Sequence, residues 1–312
     1  SKKSRTKQYI PLFDGKNLFE MTLKTNRAYC DEVLVVANAD NYELSLKALA
    51  NNTNLPHHII VEAMPKNTAA AIAFAALAAD EEDLLLVTPS DHIIGNTSAY
   101  EQAIENAFTG AAQNYLMTIG IQPTKVETGY GYIQHQETEV LAFHEKPNYE
   151  NAKVFMKAGN FLWNSGIFCF KAKIYLEELQ QYRPDILQAC KKVMQIKHNE
   201  FLDAQASEQI PSESIDFAIM EKSKNVKVVK GLFEWSDLGS FEALYEYFLE
   251  KGMYVKETNL VISENAHVEL HGLQNTMVIQ SGESILVMPI KDSQEVKKIY
   301  EKLQKTNSQL IE

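Results

Sequence analysis

Cysteine, paired metal-ligand patterns and long apolar runs are what this sequence of 312 residues has little of. Its three cysteines, Cys30, Cys169 and Cys190, are odd in number, far apart and in no CxxC spacing. A disulfide framework is therefore not expected, and a reducing, cytoplasmic setting fits best. The eight histidines form no HxH or HExxH pattern. Adjacent His57 and His58 would point to opposite faces of a strand, which makes them poor joint ligands. No run approaches the ~18 apolar residues of a membrane span. The basic start, SKKSRTKQ, has no apolar segment behind it, so it does not read as a secretory signal. Positive charge is short as well: 30 Lys and Arg against 41 Asp and Glu give a formal net charge of −11. That argues against non-specific nucleic-acid binding, which needs clustered cations. A pocket for one nucleotide needs only a few local cations and stays open.

What is there suits a globular fold. Hydrophobic residues make up 45% and charged residues 23%, enough for a sizeable core without a disulfide or metal staple. Residues 32–37, 58–62, 83–88 and 115–121 read as buried parallel strands, each a short apolar run ended by polar residues. Helical patterns lie between them. One, over 67–80, has Asn67 or Thr68 placed to cap it; another, over 98–113, opens on Ser98 and Glu101 as a capping box. Alternating strands and helices imply βαβ units, whose ligands collect beyond the carboxyl ends of the strands. Further on, 140–143, 166–170 and 226–232 read as strands, and 150–158, 173–181, 184–198 and 240–250 as helices. After residue 250 the composition changes. Short β runs at 260–263, 267–270, 276–280 and 284–289 suggest a small appendage, closed by a charged helix over 292–305. The expected division is 1–250 and 251–312.

Five constellations carry chemistry. Pro89-Ser90-Asp91-His92 follows the strand DLLLVT, where a carboxylate suits Mg²⁺ with water and phosphate oxygens completing its shell; Asp91 capping a turn is an equal reading. Trp235-Ser236-Asp237-Leu238-Gly239-Ser240 offers a second carboxylate, although Asp237 or Ser240 capping a helix explains it when taken alone. Glu145-Lys146-Pro147 pairs a hydroxyl acceptor with a phosphate counter-charge; a bare EKP is also a solvated turn. Trp163-Asn164-Ser165-Gly166 and the GYGYI around Gly131 let backbone approach a ligand, or form tight hairpin turns. Lys7-Gln8 can reach a phosphate, or be an exposed end. In residues 214–220, Asp216 reads as a charge at a helix N-terminus.

The order of these segments is more specific than any one of them. KQ, E-x-x-x-KNTA, PSDH, GYGYI, F-x-EKP, WNSGIF, SIDFAIME and WSDLGS follow one another from residue 7 to 240. This arrangement resembles the mannose-1-phosphate guanylyltransferases, including the transferase half of bifunctional enzymes that also carry a mannose-6-phosphate isomerase. The resemblance implies an α/β, Rossmann-like (GT-A-like) nucleotidyltransferase domain on a mostly parallel sheet, with the appendage behind it. It implies the reaction GTP plus mannose 1-phosphate to GDP-mannose plus pyrophosphate. It further implies Mg²⁺ on Asp91 and Asp237, and Lys7 on a nucleotide phosphate. Gln8, Asn67, Thr68, Ser90 and Asp91 would bind the nucleotide, with Asn67 and Thr68 near guanine and ribose. Gly131, Glu145, Lys146, Asn164 and Asp237 would hold the sugar phosphate. Neither a nucleic-acid nor a membrane partner is expected, and the appendage could support a homodimer.

Three departures from the family pattern stand out. A glycine-rich signature is expected immediately before Ser1 in the complete polypeptide. Glu62-Ala63 replaces Glu-Pro and Lys66 replaces arginine, losing a bidentate fork. Thr6 stands in place of proline. With the sequence ending at Glu312, no isomerase activity is expected from this stretch. The alternatives are a non-catalytic GDP-mannose-binding regulatory homologue and a transferase for another sugar 1-phosphate.

Overall fold

The structure, a computed structural model, describes residues 6–13, 15–263 and 265–306; Ser1, which would abut the glycine-rich signature, lies outside them. The chain forms two compact units, Lys7–Trp235 and a second one from Ser236 onward that also takes in Thr6. The units part ahead of the composition change near residue 250.

In the first unit, in chain order, are α1 (Leu18–Asn26), β1 (Val33–Asn38), α2 (Tyr42–Asn52), β2 (His57–Glu62), α3 (Asn67–Ala78), β3 (Leu84–Val87) and β4 (Ile93–Ile94). There follow α4 (Thr97–Ala112), β5 (Leu116–Ile121), β6 (Tyr132–Gln136), β7 (Glu139–His144), α5 (Tyr149–Ala158) and β8 (Phe161–Lys171). Then come α6 (Ala172–Tyr182), α7 (Pro184–Gln195), α8 (Ala204–Glu208), a π turn at Asp216–Met220, β9 (Val226–Gly231) and β10 (Trp235–Ser236), whose last residue belongs to the second unit.

β1 and β2 pair in parallel, Val33 opposite His57 through Asn38 opposite Glu62. The main sheet has the order β3-β8-β5-β9-β7-β6, and β6 returns to pair with the first half of β8. β5 and β9 are parallel, whereas β8 runs antiparallel to β3, β5 and β6. Four strands, β3, β5, β6 and β9, therefore share a direction; β7 and β8 oppose it. The sheet keeps the expected predominant direction, yet its ladders are mixed, because β8 is inserted between β3 and β5. Side-chain alternation covers both faces. Leu116 of β5 joins a core built with α3, α6 and α7, while Met117, Ile119 and Ile121 join another built with α4.

Local chemistry corrects several expectations. α4 starts one residue before Ser98, and its cap is Asn96, which accepts from the Ala99 N–H with φ +49. Asparagine tolerates that left-handed backbone, and the frame leaves Glu101 outside the N3 position a capping box needs. Neither Asn67 nor Thr68 caps α3: the cap position is Lys66, with no side-chain bond, and Thr68 Oγ1 instead accepts from the Ile215 N–H at 2.9 Å. α1, which the apolar pattern did not disclose, is set by a capping box between Asn17 and Glu20. WNSG is not a hairpin turn. It lies inside β8, where the register against β5 slips between Thr118 and Gly120, a bulge of the kind that re-aims side chains. Residues 216–220 make a single π turn with Asp216 in its first turn.

The second unit holds α9 (Phe241–Lys251), β11 (Val255–Lys256), β12 (Asn259–Ile262), β13 (Thr276–Ser281), β14 (Ser284–Pro289) and, after a 3-10 segment Ile290–Glu295, α10 (Val296–Lys305). Its four strands form one sheet in the order β11-β12-β13-β14. The expected run at 267–270 is not a strand: His267 pairs with Glu269, and the Val268 carbonyl accepts from Lys256 Nζ at 2.7 Å instead of from a neighbouring strand. No described helix is long and apolar enough to cross a membrane. The three cysteines are free thiols, Cys169 and Cys190 buried.

Candidate active site

β3 and β6 both pair along the side of β8 that faces away from β5, and they leave a gap between them, from Val87 opposite Phe168 to Tyr132 opposite Trp163. Pro89-Ser90-Asp91 leaves β3 into that gap, Gly131 precedes β6, and the bulge of β8 carries Asn164 along it. This is why motifs far apart in sequence meet.

Asp91 follows the strand end as expected, and Lys7 reaches it: Lys7 Nζ lies 2.9 Å from Asp91 Oδ2, both side chains about one-third exposed (34% and 35%). His92 packs behind. The Trp235 Nε1–H donates to His92 Nδ1 at 3.2 Å. A nitrogen that accepts carries no proton, so the neutral ring holds its proton on Nε2, which lies 3.7 Å from Asp91 Oδ1. Trp235 makes edge contacts with His92 and Tyr130, and Tyr130 with Trp163. A string of rings thus ties PSDH, GYGYI and WNSGIF to Trp235, a function that none of the motifs showed alone.

Beside Lys7 and Asp91 lies a cavity of about 190 Å³, lined by Gln8, Ser90, Asn38, Asn41 and Glu62 with Tyr9, Phe19 and Val36 among its apolar walls. Gln8 and Ser90 are thus brought to one cavity; Asn67 and Thr68 are not on its wall. Glu62 is the residue that sequence reasoning passed over, noting it only beside a family departure. Its position was legible, because it ends a parallel strand. Burial pushes its carboxyl up to about 7, partly opposed by the Lys66 backbone N–H, and its Oε1 is buried without a hydrogen-bond partner.

Of the residues expected to hold a sugar phosphate, Gly131, Glu145, Lys146 and Asn164 lie together, and Asp237 is not among them. Lys146 Nζ is 3.4 Å from Glu145 Oε1. A Cβ on Gly131 would stand 2.8 Å from Glu145 Oε2, so the absence of a side chain there leaves that carboxylate its place. The Asn164 N–H donates to the Gly131 carbonyl at 2.8 Å. Asn164 Nδ2 donates to Asp216 Oδ1 at 2.7 Å, which brings Asp216 beside these residues as well as in the first turn of its helical segment. Burial raises the Asp216 carboxyl; the Asn164 bond opposes that, and the Glu145 charge adds to it.

Asp237 belongs to the second unit. The helix cap there is Ser240, whose Oγ accepts from the Ala243 N–H at 3.1 Å, so capping does not account for Asp237. Its Oδ1 accepts from the Gly239 N–H at 2.9 Å. Among the described residues no group of three His, Cys, Asp or Glu could by itself hold a metal ion. A hard cation carried by one or two carboxylates and substrate oxygens fits that donor set.

A mixed α/β sheet thus carries an ion pair at a strand end with a cavity beside it, and Gly131, Glu145 and Asn164 gathered as a second set. The chain belongs to the family described as Nucleotidyl transferase, whose sequence pattern matches residues 2–252. It is 36% identical, over 95% of its length and 68% of the relative's, to mannose-1-phosphate guanylyltransferase 2 of Escherichia coli O157:H7. A solved structure from Thermus thermophilus, described as a mannose-1-phosphate geranyltransferase, is 27% identical with a TM-score of 0.82, covering 97% of this chain and 94% of that one. Another from Helicobacter pylori, described as mannose-6-phosphate isomerase, is 38% identical with a TM-score of 0.71, covering 74% of this chain and 95% of that one.

Proposed function

We propose that this chain converts GTP and mannose 1-phosphate to GDP-mannose and pyrophosphate. The observation that carries the reading is the Lys7–Asp91 pair standing next to a cavity lined by Gln8 and Ser90, with Gly131, Glu145 and Asn164 gathered as a separate set. The name of the Escherichia coli relative points the same way. An oxygen of the sugar phosphate attacks the α-phosphorus in line; that P–O bond forms as the bond to the β-phosphate breaks, and pyrophosphate leaves with the electron pair. The attacking phosphate is already an anion, so no protein base or nucleophile is required, and catalysis is positioning plus charge stabilisation.

In this reading Lys7 holds a nucleotide phosphate, and Gln8 and Ser90 hold the nucleotide. Glu62 lines the same cavity, on the side given to the guanine. By the family resemblance, Asn67 and Thr68 at the start of α3 lie near the guanine and ribose. Glu145 and Asn164 bind sugar hydroxyls, Lys146 offsets phosphate charge, and Gly131 lets the ligand approach. Asp91, with Asp237 retained on sequence grounds, would hold Mg²⁺, which when bound neutralises phosphate charge in the transition state. Pyrophosphate release from GTP and mannose 1-phosphate tests the reading; binding of GDP-mannose without turnover would replace it by a regulatory role.

A further inference from the structure

Asp216 lies beside the proposed sugar-phosphate set, and the reaction gives it nothing to do. Its neighbour Asn164 has a side chain whose two ends are alike in shape and opposite in hydrogen bonding, so a free amide can present either sense to a ligand. Here the sense is fixed from both ends. Nδ2 donates to Asp216 Oδ1 at 2.7 Å, and Oδ1 accepts from the Gly166 N–H at 3.2 Å. Turning the amide over would set oxygen against a carboxylate and N–H against N–H. The backbone is tied as well, by the Asn164 N–H on the Gly131 carbonyl. Asp216 is in turn anchored through its own turn, where the Ile215 N–H is held by Thr68 Oγ1. One Nδ2 hydrogen and one Oδ1 lone pair of Asn164 are left for a ligand.

The geometry points to Asp216 as a positioning residue: its carboxylate holds the Asn164 amide in one donor–acceptor sense, and so fixes which sugar hydroxyl that amide donates to and which it accepts from. This rests on the sugar-phosphate reading of Asn164. Asp216 and Asn164 exchange no proton with substrate; the effect falls on binding of the sugar phosphate.

Two variants and two measurements separate the possibilities. Asp216→Asn keeps the size but replaces a fixed acceptor by a group that accommodates either sense. The expected result is a rise of about tenfold in the KM for mannose 1-phosphate, the scale of one weakened hydrogen bond, with the KM for GTP unchanged. The exchange Asn164→Asp with Asp216→Asn preserves the bond between the two positions and the total charge, yet leaves no N–H at 164. It is expected to restore the melting temperature and not the KM for mannose 1-phosphate. Restoration of both, or an equal rise in the two KM values for Asp216→Asn, would reduce Asp216 to a structural part. Direct calorimetric binding of mannose 1-phosphate to the unaltered chain stands apart: no binding there overturns the substrate reading itself, whereas equal binding by the unaltered chain and Asp216→Asn overturns only the positioning role.

Discussion

Glu62 places an ionisable group where burial favours its neutral form, and the sign of the consequence follows from linkage. Its folded pKa is raised from the ordinary 4.5 to about 7, so the folded chain binds the proton more tightly than the unfolded one. The favourable contribution is fully present below pH 4.5 and is lost as pH rises through about 7. The shift corresponds to something on the order of 3 kcal/mol. Glu62→Gln should flatten the pH dependence of the melting temperature across that window and leave the variant relatively more stable at the alkaline end. A pH profile that keeps its slope in the variant refutes this. Asp91 behaves differently. Its pair with Lys7 is about one-third exposed on each side, a setting in which ion pairs contribute at most about 1 kcal/mol to stability. Asp91→Ala is therefore expected to melt close to the parent. Its pyrophosphate release should fall by well over about tenfold, because the cation that Asp91 would hold neutralises phosphate charge in the transition state. A smaller loss removes the assigned role.

At the scale of elements, the bulge in β8 decides most. Gly166 sits at φ +70, and a Cβ there would meet only Pro89 Cγ, at an ordinary 3.4 Å. Strain of the backbone, not lack of space, is then the cost of Gly166→Ala, about 1–2 kcal/mol. Calorimetry should show a lowered melting temperature, and the KM for mannose 1-phosphate should rise because Gly166 N–H holds the Asn164 amide. The same bulge explains what the sequence hid. β1, β2, β5 and β9 were legible within a residue or two, since an apolar run ended by polar residues marks a buried strand. β8 was seen only over 166–170, because Asn164, Ser165 and Gly166 look like turn residues until Ser165 Oγ is found donating to the Ile119 carbonyl at 2.6 Å inside the sheet. The run at 267–270 failed for the converse reason: its alternation is that of a strand, but its backbone carbonyl is spent on Lys256. α1 and α2 lack a long apolar stripe: a capping box sets α1, and the packing of Ser45, Ala48 and Leu49 sets α2.

For the whole molecule, the site arises from strand direction. β3, β5 and β9 deliver their carboxyl ends to one edge, and the antiparallel β8 delivers its beginning there. Parallel-strand logic thus found Asp91 and would have found Glu62. It had no means of finding Asp216, whose part depends on a contact with Asn164 across 52 residues of sequence. Lys7 and Gln8 were legible only through the order of motifs, because a lysine and glutamine near the start of a chain carry no local signal.

The string of rings behind Asp91 also has an optical consequence. The chain contains two tryptophans, Trp163 and Trp235, and both stand in that string, one on each side of Tyr130. Tryptophan emission from these residues therefore originates beside the candidate site. Trp235 donates to His92 next to Asp91, while Trp163 is buried next to Asn164, so the two emitters report on different halves of the site. In Trp163→Phe, GTP should change the remaining emission; in Trp235→Phe, mannose 1-phosphate should do so. Titrations that leave both single-tryptophan spectra unmoved at saturating ligand would place the ligands elsewhere.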